Sequence, residues 1–336
     1  MNNLYKISAF IIIILFACMI QACTKKVVPV VETGSITNIT GSSATCEGTV
    51  IAEGSSPLYT RGVCWSVDPS PTIDGSFTNN GTGLGAYSSS MTKLDGSTKY
   101  YVRAYATNNE GTGYGNQITF RTAPRSIIFN QAITYGSMTD QEGNNYRTLK
   151  IGDQTWMAEN LRTKHYQDGS GIPNVTEPVA WAGLITGGYC YYDNDTLNRQ
   201  TYGALYNWFV IDDERKICPA GWHVSTDAEW TVLENSLGGS TYAGMKMKEI
   251  SQIHWESPNI GATNESGFTA LPGGARYWSF QNDFFNLEYF SLFWTSTEAH
   301  NDSQSAWFRS LSYNGVDVER DTWWKITGFS IRCVKD

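Results

Sequence analysis

Cys218-Pro219-Ala220-Gly221-Trp222-His223 lies between two helix-like segments in the second half of the chain, and a single cysteine, Cys333, follows three residues before the last one. We read Cys218 and Cys333 as a disulfide that joins the middle of a domain to its last strand. That pairing makes the second half one closed loop. Closing a loop of about a hundred residues removes unfolded-state entropy worth roughly 4.7 kcal/mol. A cysteine close to a histidine also raises a catalytic reading. The cysteine usage of the whole chain turns the motif into a structural clasp instead.

Around this clasp, composition sets the bounds. The 336 residues suffice for two ordinary domains. Net charge is −8 without blocks of either sign, which argues against nucleic acid as a partner. Only 17% of residues are charged, while Gly, Ser, Thr, Asn and Tyr are plentiful, a palette that suits β-rich exported proteins. Eleven of the twelve Trp follow residue 150, so the second half has aromatics for a large core and some surface. Of the seven Cys, Cys18 and Cys23 fall in the N-terminal segment, and the other five allow two disulfides and one leftover thiol.

Lys6 and the apolar run over residues 7–20 read as the n- and h-regions of a signal peptide, too short to span a bilayer comfortably. Ile20-Gln21-Ala22-Cys23, followed by polar Thr24-Lys25-Lys26, resembles a bacterial lipobox with Cys23 as the lipidated residue. Leu15-Phe16-Ala17-Cys18 competes, but cleavage there would shorten the h-region. Residues 1–22 are therefore expected to be removed and 23–32 to form a lipidated tether. The bilayer, through acylated Cys23, is an expected partner, and the outer membrane the expected location, its face left open. Each buried methylene of an acyl chain adds roughly 0.8 kcal/mol, so multiple acylation anchors firmly. Export also permits disulfides.

From residue 33 to 123, turn signals recur every eight to twelve residues between alternating segments, notably 43–51, 59–66, 98–106 and 116–121. Such spacing without helical periodicity argues for an all-β sandwich. Leu94, then Tyr100 and Val102 to Asn108, resemble the corner and following strand of fibronectin type III domains, in which a Leu plugs the core and a Tyr hydroxyl bonds back to the backbone. Asp95-Gly96 stands where many members carry Pro. Cys46 and Cys64 fall on two neighbouring strands and are expected to pair, worth roughly 3 kcal/mol; the alternative is two free buried thiols. Residues 124–135 read as a linker or as a first strand of the next module.

Residues 136–336 form the main module. Asn145–Ile151, Gly152-Asp153 and Gln154–Ala158 predict a hairpin with a primed turn. Leu205, Trp208 and Phe209 at i, i+3, i+4 predict a short helix over 202–210. Thr226-Asp-Ala-Glu229 is a capping box, with Trp230 and Leu233 as apolar stripe and Gly238-Gly239 as stop. Short strands are expected at 267–271, 292–297, 305–311 and 328–334. Two helices among many strands make an α+β pattern.

Several segments here carry a specific resemblance: Trp156–Leu161, Tyr192–Asp195, Tyr202–Trp208, Cys218–Val224, Gly261–Arg276, Phe293–Glu298 and Gly328–Val334. In that order they resemble the Fibrobacter succinogenes major paralogous domain, a family of exported bacterial modules. That family is similar to C-type-lectin-like domains, which also join a helix-proximal Cys to the last strand. Taken with the fibronectin-III-like resemblance of residues 33–123, it implies an all-β, fibronectin-III-like sandwich followed by an α+β, C-type-lectin-like domain.

The chemistry of the module points to surface rather than catalysis. His165, His223, His254 and His300 are scattered, without zinc spacing, and no cofactor is expected. Asp193, Asn194 and Asp195 form a weak Ca²⁺ candidate beside the commoner reading of a polar turn. Ser257-Pro258-Asn259 and Trp294-Thr295-Ser296 depart from the sugar- and calcium-binding motifs of C-type lectins. Cys190 is the leftover thiol, read as buried and inert. Glu265, Asp283, Glu288 and Glu298 are the acids that a glycosidase would draw on, and are read as structural, Glu265 and Glu298 accepting from Arg276 or backbone. What remains is the segment 277–324. Tyr277, Trp278, Phe285, Tyr289, Trp307, Tyr313, Trp323 and Trp324 are the candidate contacts for a glycan or protein ligand. On strands, neighbours such as Trp323 and Trp324 face opposite ways, so both cannot be core. The expectation is a non-catalytic binding or adhesion lipoprotein; the alternatives are an enzyme on a lectin-like scaffold and a structural subunit of the envelope.

Overall fold

The computed structural model describes residues 26–278, 284–300 and 302–336. The expected signal peptide, the Cys23 lipidation site and Asp283 lie outside the described residues. The chain divides into two compact units at Thr122/Ala123.

The first unit is a sandwich of β1 (Val30–Thr37), β2 (Ser43–Ala52), β3 (Thr60–Ser66), β4 (Ser76–Phe77), β5 (Gly85–Thr92), β6 (Lys99–Asn108), β7 (Gly111–Tyr114) and β8 (Ile118–Arg121). One sheet runs β1-β2-β5; the other runs β4-β3-β6-β7, with β8 also on β6. All pairs are antiparallel. The order is that of a fibronectin-III-like sandwich. Alternation explains it: Ala44, Cys46 and Val50 of β2, and Val102, Ala104 and Ala106 of β6, point into one core. Leu94 is buried in that core, and the Tyr100 hydroxyl accepts from the Asp95 backbone N–H at 3.0 Å, forming the expected corner. The sandwich starts before residue 33: β1 begins at Val30, and Val27 O already accepts from Ser55 N and Asn108 Nδ2.

The Cys46–Cys64 disulfide expected above does not form; both are free, buried thiols. Cys46 packs in the inter-sheet core beside Val63. Cys64 follows Val63 on β3 and therefore faces the opposite side, where its thiol donates to Pro71 O at 3.4 Å. Strand parity, which spacing in sequence does not report, keeps the two sulfurs apart.

The second unit takes in the segment read as a linker. Ile128 N donates to Glu249 Oε1, Asn130 Nδ2 to Asn264 O, and Phe129, Ile133 and Tyr135 pack on the unit's core. No strand forms within 124–135. Then follow β9 (Gly136–Thr139), β10 (Asn145–Ile151), β11 (Gln154–Met157), α1 (Pro178–Ala182), β12 (Tyr189–Cys190), α2 (Arg199–Tyr202), β13 (Leu205–Tyr206), β14 (Trp222–Val224), α3 (Asp227–Ser236), α4 (Ser240–Met247), β15 (Gly273–Arg276), β16 (Phe284–Leu287), β17 (Phe290–Glu298), β18 (Ser305–Ser312), β19 (Glu319–Trp324) and β20 (Cys333–Lys335). The central sheet runs β14-β20-β11-β10-β9, so the last strand is inserted between two earlier ones. It is buried on both faces. Tyr146, Met157 and Cys333 fill one side; Leu149, Ile151, Trp156 and Val334 fill the other. Cys218 and Cys333 are disulfide-bonded, with Cα atoms 6.1 Å apart.

Local chemistry is realised where it was strongest. The hairpin closes Ile151 on Gln154 with Gly152 at φ 58°, and α3 carries the Thr226/Glu229 capping box. The helix expected over 202–210 does not form. Gly203 at φ 76° stops α2, Leu205–Tyr206 becomes β13, and Tyr206 exchanges backbone hydrogen bonds with Phe329 at 2.9 and 3.0 Å. No strand forms at 267–271, where Ala270 makes a single bridge to Lys248; the strand falls at Gly273–Arg276.

One buried cation ties several of the resemblance-bearing segments together. Arg332, fully buried, donates from Nε to Asn160 Oδ1 at 2.8 Å, from Nη1 to Met157 O and Phe268 O, and from Nη2 to Thr269 O. Asn160 Nδ2 in turn donates to Tyr202 O and Ser330 Oγ. These bonds knit 156–161, 202–208, 261–276 and 328–334 into one frame, since every buried polar group must find a partner.

Candidate functional site

The frame positions an aromatic face. β19 ends at Trp324, opposite Ser305 on β18. Trp323 faces inward, packing on Phe308 at 6.3 Å between centroids, while Trp324 is 43% exposed, as strand parity requires. Trp278 meets Trp324 edge-on at 4.5 Å, and Tyr277 bridges to Phe285 at 5.6 Å and Trp323 at 6.3 Å. Five of the eight predicted aromatics are thus contiguous. Of the other three, Tyr289 and Tyr313 pair with each other at 5.2 Å, and Trp307, opposite Thr322 on β19, is covered by the Arg320 guanidinium at 3.4 Å.

Trp324 separates two depressions. On one side is a groove of about 420 Å³, lined by Leu184, Ile185, Phe209, Trp278, Gln304 and Lys325 among others. Ile185 is 85% exposed. Its loop follows α1, whose Trp181 is fully buried with the Arg276 guanidinium 4.5 Å over the ring. Arg276 also donates to Val175 O and to Thr176 O, fixing the approach to α1. Lys325 is ion-paired with Glu298 and lies 4.4 Å over Trp208. On the other side is a pocket of about 360 Å³ lined by Tyr277, Asp302, Ser305, Thr322, Trp323 and Trp324. Asp302 accepts from Ser305 Oγ at 2.6 Å and from Gln304 N at 2.9 Å, and these bonds hold its carboxyl below the usual range.

The residues of this rim outside 277–324 were not singled out from sequence. Leu184-Ile185 sit between Gly183 and Thr186-Gly187-Gly188, and an apolar pair in a Gly-flanked loop was the available signal. That this loop meets β19 is a property of the fold.

The remaining candidates are engaged elsewhere. Asp195 Oδ1 caps a short turn through Leu197 N, Asn194 Nδ2 donates to Thr176 O, and Asp193 is exposed. Among the described residues there is no group of three or more His, Cys, Asp or Glu suited to a metal ion. Asn259 turns inward and donates to Glu249 O and Ser251 O. Cys190 is fully buried with Trp181 and Leu205; burial pushes its thiol up to about 12, against the lowering effect of Arg276. Glu265 pairs with Lys246 and Glu298 with Lys325, so neither accepts from Arg276 as expected. His223 is held between Asp336 at 2.6 Å and Glu229 at 2.8 Å. Burial alone would lower its pKa, but the two carboxylates outweigh burial and raise it.

A sandwich followed by a disulfide-clasped unit bearing an exposed aromatic face defines a chain with a scaffold-type frame and a surface-type candidate site. The chain belongs to the Fibrobacter succinogenes major domain family, whose profile matches residues 149–335, more than half its length. No curated protein matches it in sequence. Among solved structures it is similar to the sensor domain of the anti-sigma factor RsgI4 in Pseudobacteroides cellulosolvens, at 16% identity and TM-score 0.22 over 28% of this chain and 93% of that one. It is also similar to a fibronectin type III domain derived from human KIAA0970 protein, at 16% identity and TM-score 0.20, over 30% and 76%. Similarities at this level carry nothing about ligands.

Proposed function

We propose that the protein is an exported, lipid-anchored binding or adhesion protein without catalytic activity, and that it meets a glycan or protein ligand on the Tyr277–Trp278–Trp323–Trp324 face. The observation that carries this reading is Trp324, the exposed Trp among the described residues, which lines two depressions. Rigid aromatic rings beside adaptable polar groups bind at low entropic cost. The thiol version of an enzyme is disfavoured by Cys190, which is buried and held protonated. In this reading Cys23 is acylated, the sandwich is a spacer between anchor and binding unit, and the second unit is C-type-lectin-like with its disulfide at the base. No helix among the described residues is long and apolar enough to cross a membrane. Metabolic labelling with a palmitate analogue, lost in Cys23→Ser, tests the anchor. A glycan array and a protein-binding screen with wild type and Trp324→Ala test the face. Blank results in both screens for the wild type would refute the reading.

A further inference from the structure

The two depressions flanking Trp324 differ in chemistry, and the difference describes a ligand. The groove side is apolar: Leu184, Ile185, Phe209 and Trp278. Its one cation, Lys325, is already neutralised by Glu298. Among the described lining residues Gln304, an exposed residue, carries the side-chain amide. A carboxamide donates and accepts at once. The pocket side is an acceptor field: the Asp302 carboxylate, oriented by Ser305 Oγ and Gln304 N, with the Ser305 and Thr322 hydroxyls alongside. An ionised carboxylate offers about four lone-pair directions, so acceptor capacity remains after those two bonds.

We infer, building on the binding role proposed above, that this face takes an acetamido sugar. Its ring stacks on Trp324, its hydroxyls donate to Asp302, and its acetyl methyl sits against Ile185 and Leu184. The acetamide N–H and C=O match the Gln304 carboxamide. A sugar carrying only hydroxyls leaves the Ile185 side unfilled, and an acidic sugar meets the Asp302 carboxylate. A purely apolar peptide segment fills the groove but leaves the Asp302 side without donors.

Calorimetry and saturation-transfer NMR with the full-length protein in lipid nanodiscs test this, with chitotetraose and cellotetraose as probes. A pocket that seats a methyl group discriminates by about 10-fold or more, so chitotetraose should bind about 10-fold more tightly, with its acetyl methyl protons the most strongly saturated. Ile185→Ser, an exposed position, should bring the two sugars to parity. Asp302→Asn should weaken both. Equal affinity for the two sugars, or a preference untouched by Ile185→Ser, overturns the inference while leaving the aromatic face standing as a binding surface. Binding of neither sugar, with a peptide or protein ligand still lost in Trp324→Ala, also overturns the inference and keeps the broader role. Sugar binding unaffected by Trp324→Ala overturns both.

Discussion

Replacing Cys218 and Cys333 together by Ala removes the clasp without leaving an odd thiol. The bridge spans a sequence separation of 115 residues. Chain entropy for a loop of that length gives about 4.8 kcal/mol of lost stability. Both sulfurs are buried, and β20 is an interior strand of the central sheet, so the native packing around them is retained only if β20 stays between β14 and β11. Domains are typically stable by about 5–15 kcal/mol, so the substitution removes a third or more of the second unit's stability. Urea unfolding followed by tryptophan fluorescence reads this unit almost alone, because Trp65 is the only Trp before residue 150. With a urea slope of about 2 kcal/mol/M, the midpoint should fall by about 2 M. The sandwich transition, followed by its tyrosines, should not move. A midpoint shift below about 0.5 M, or equal shifts of both transitions, would refute the assignment of the clasp as the main unfolded-state constraint.

Other outcomes follow from the same structure. Under non-reducing conditions the chain from residue 26 should show three free thiols, Cys46, Cys64 and Cys190, only after denaturation, because burial raises the thiols to about 12, 11 and 12 respectively; a single free thiol in the denatured chain would mean that Cys46 and Cys64 had paired. Arg332→Met should destabilise the second unit by about 3 kcal/mol or more, since it leaves Asn160 Oδ1 and three backbone carbonyls without their donor; a loss within about 0.5 kcal/mol in chemical unfolding contradicts the frame described here. His223 has its folded pKa raised by Asp336 and Glu229, which outweigh burial. Its stabilisation is therefore fully present below the unfolded value near 6.5 and lost as pH rises through the raised folded value. The stability gap between wild type and His223→Gln should shrink over that window; a gap that widens with pH would show that the ring is not held as an imidazolium.

What could be read from the sequence was what short-range chemistry fixes. The Thr226/Glu229 box, the Gly152-Asp153 turn and the Leu94/Tyr100 corner each depend on residues a few positions apart, and each formed. The clasp was legible because two cysteines lie within segments whose order is specific to a family. The failures share a cause. Leu205, Trp208 and Phe209 have helical spacing, but the backbone of Tyr206 is taken by Phe329, more than a hundred residues away. Cys46 and Cys64 have acceptable spacing, but β3 turns Cys64 to the far side from Cys46. Of the aromatic residues, parity predicted that Trp323 and Trp324 would divide between core and solvent. The Ile185 rim and the Asp302 carboxylate were not legible, because their meeting at Trp324 depends on how the loop after α1 and the β17–β18 turn come together.

The most direct measurement of the central claim is a glycan array probed with wild type and Trp324→Ala, after both are shown to unfold at the same urea midpoint. The account predicts carbohydrate binding by the wild type that is lost in Trp324→Ala. Binding that persists unchanged in the variant would contradict it.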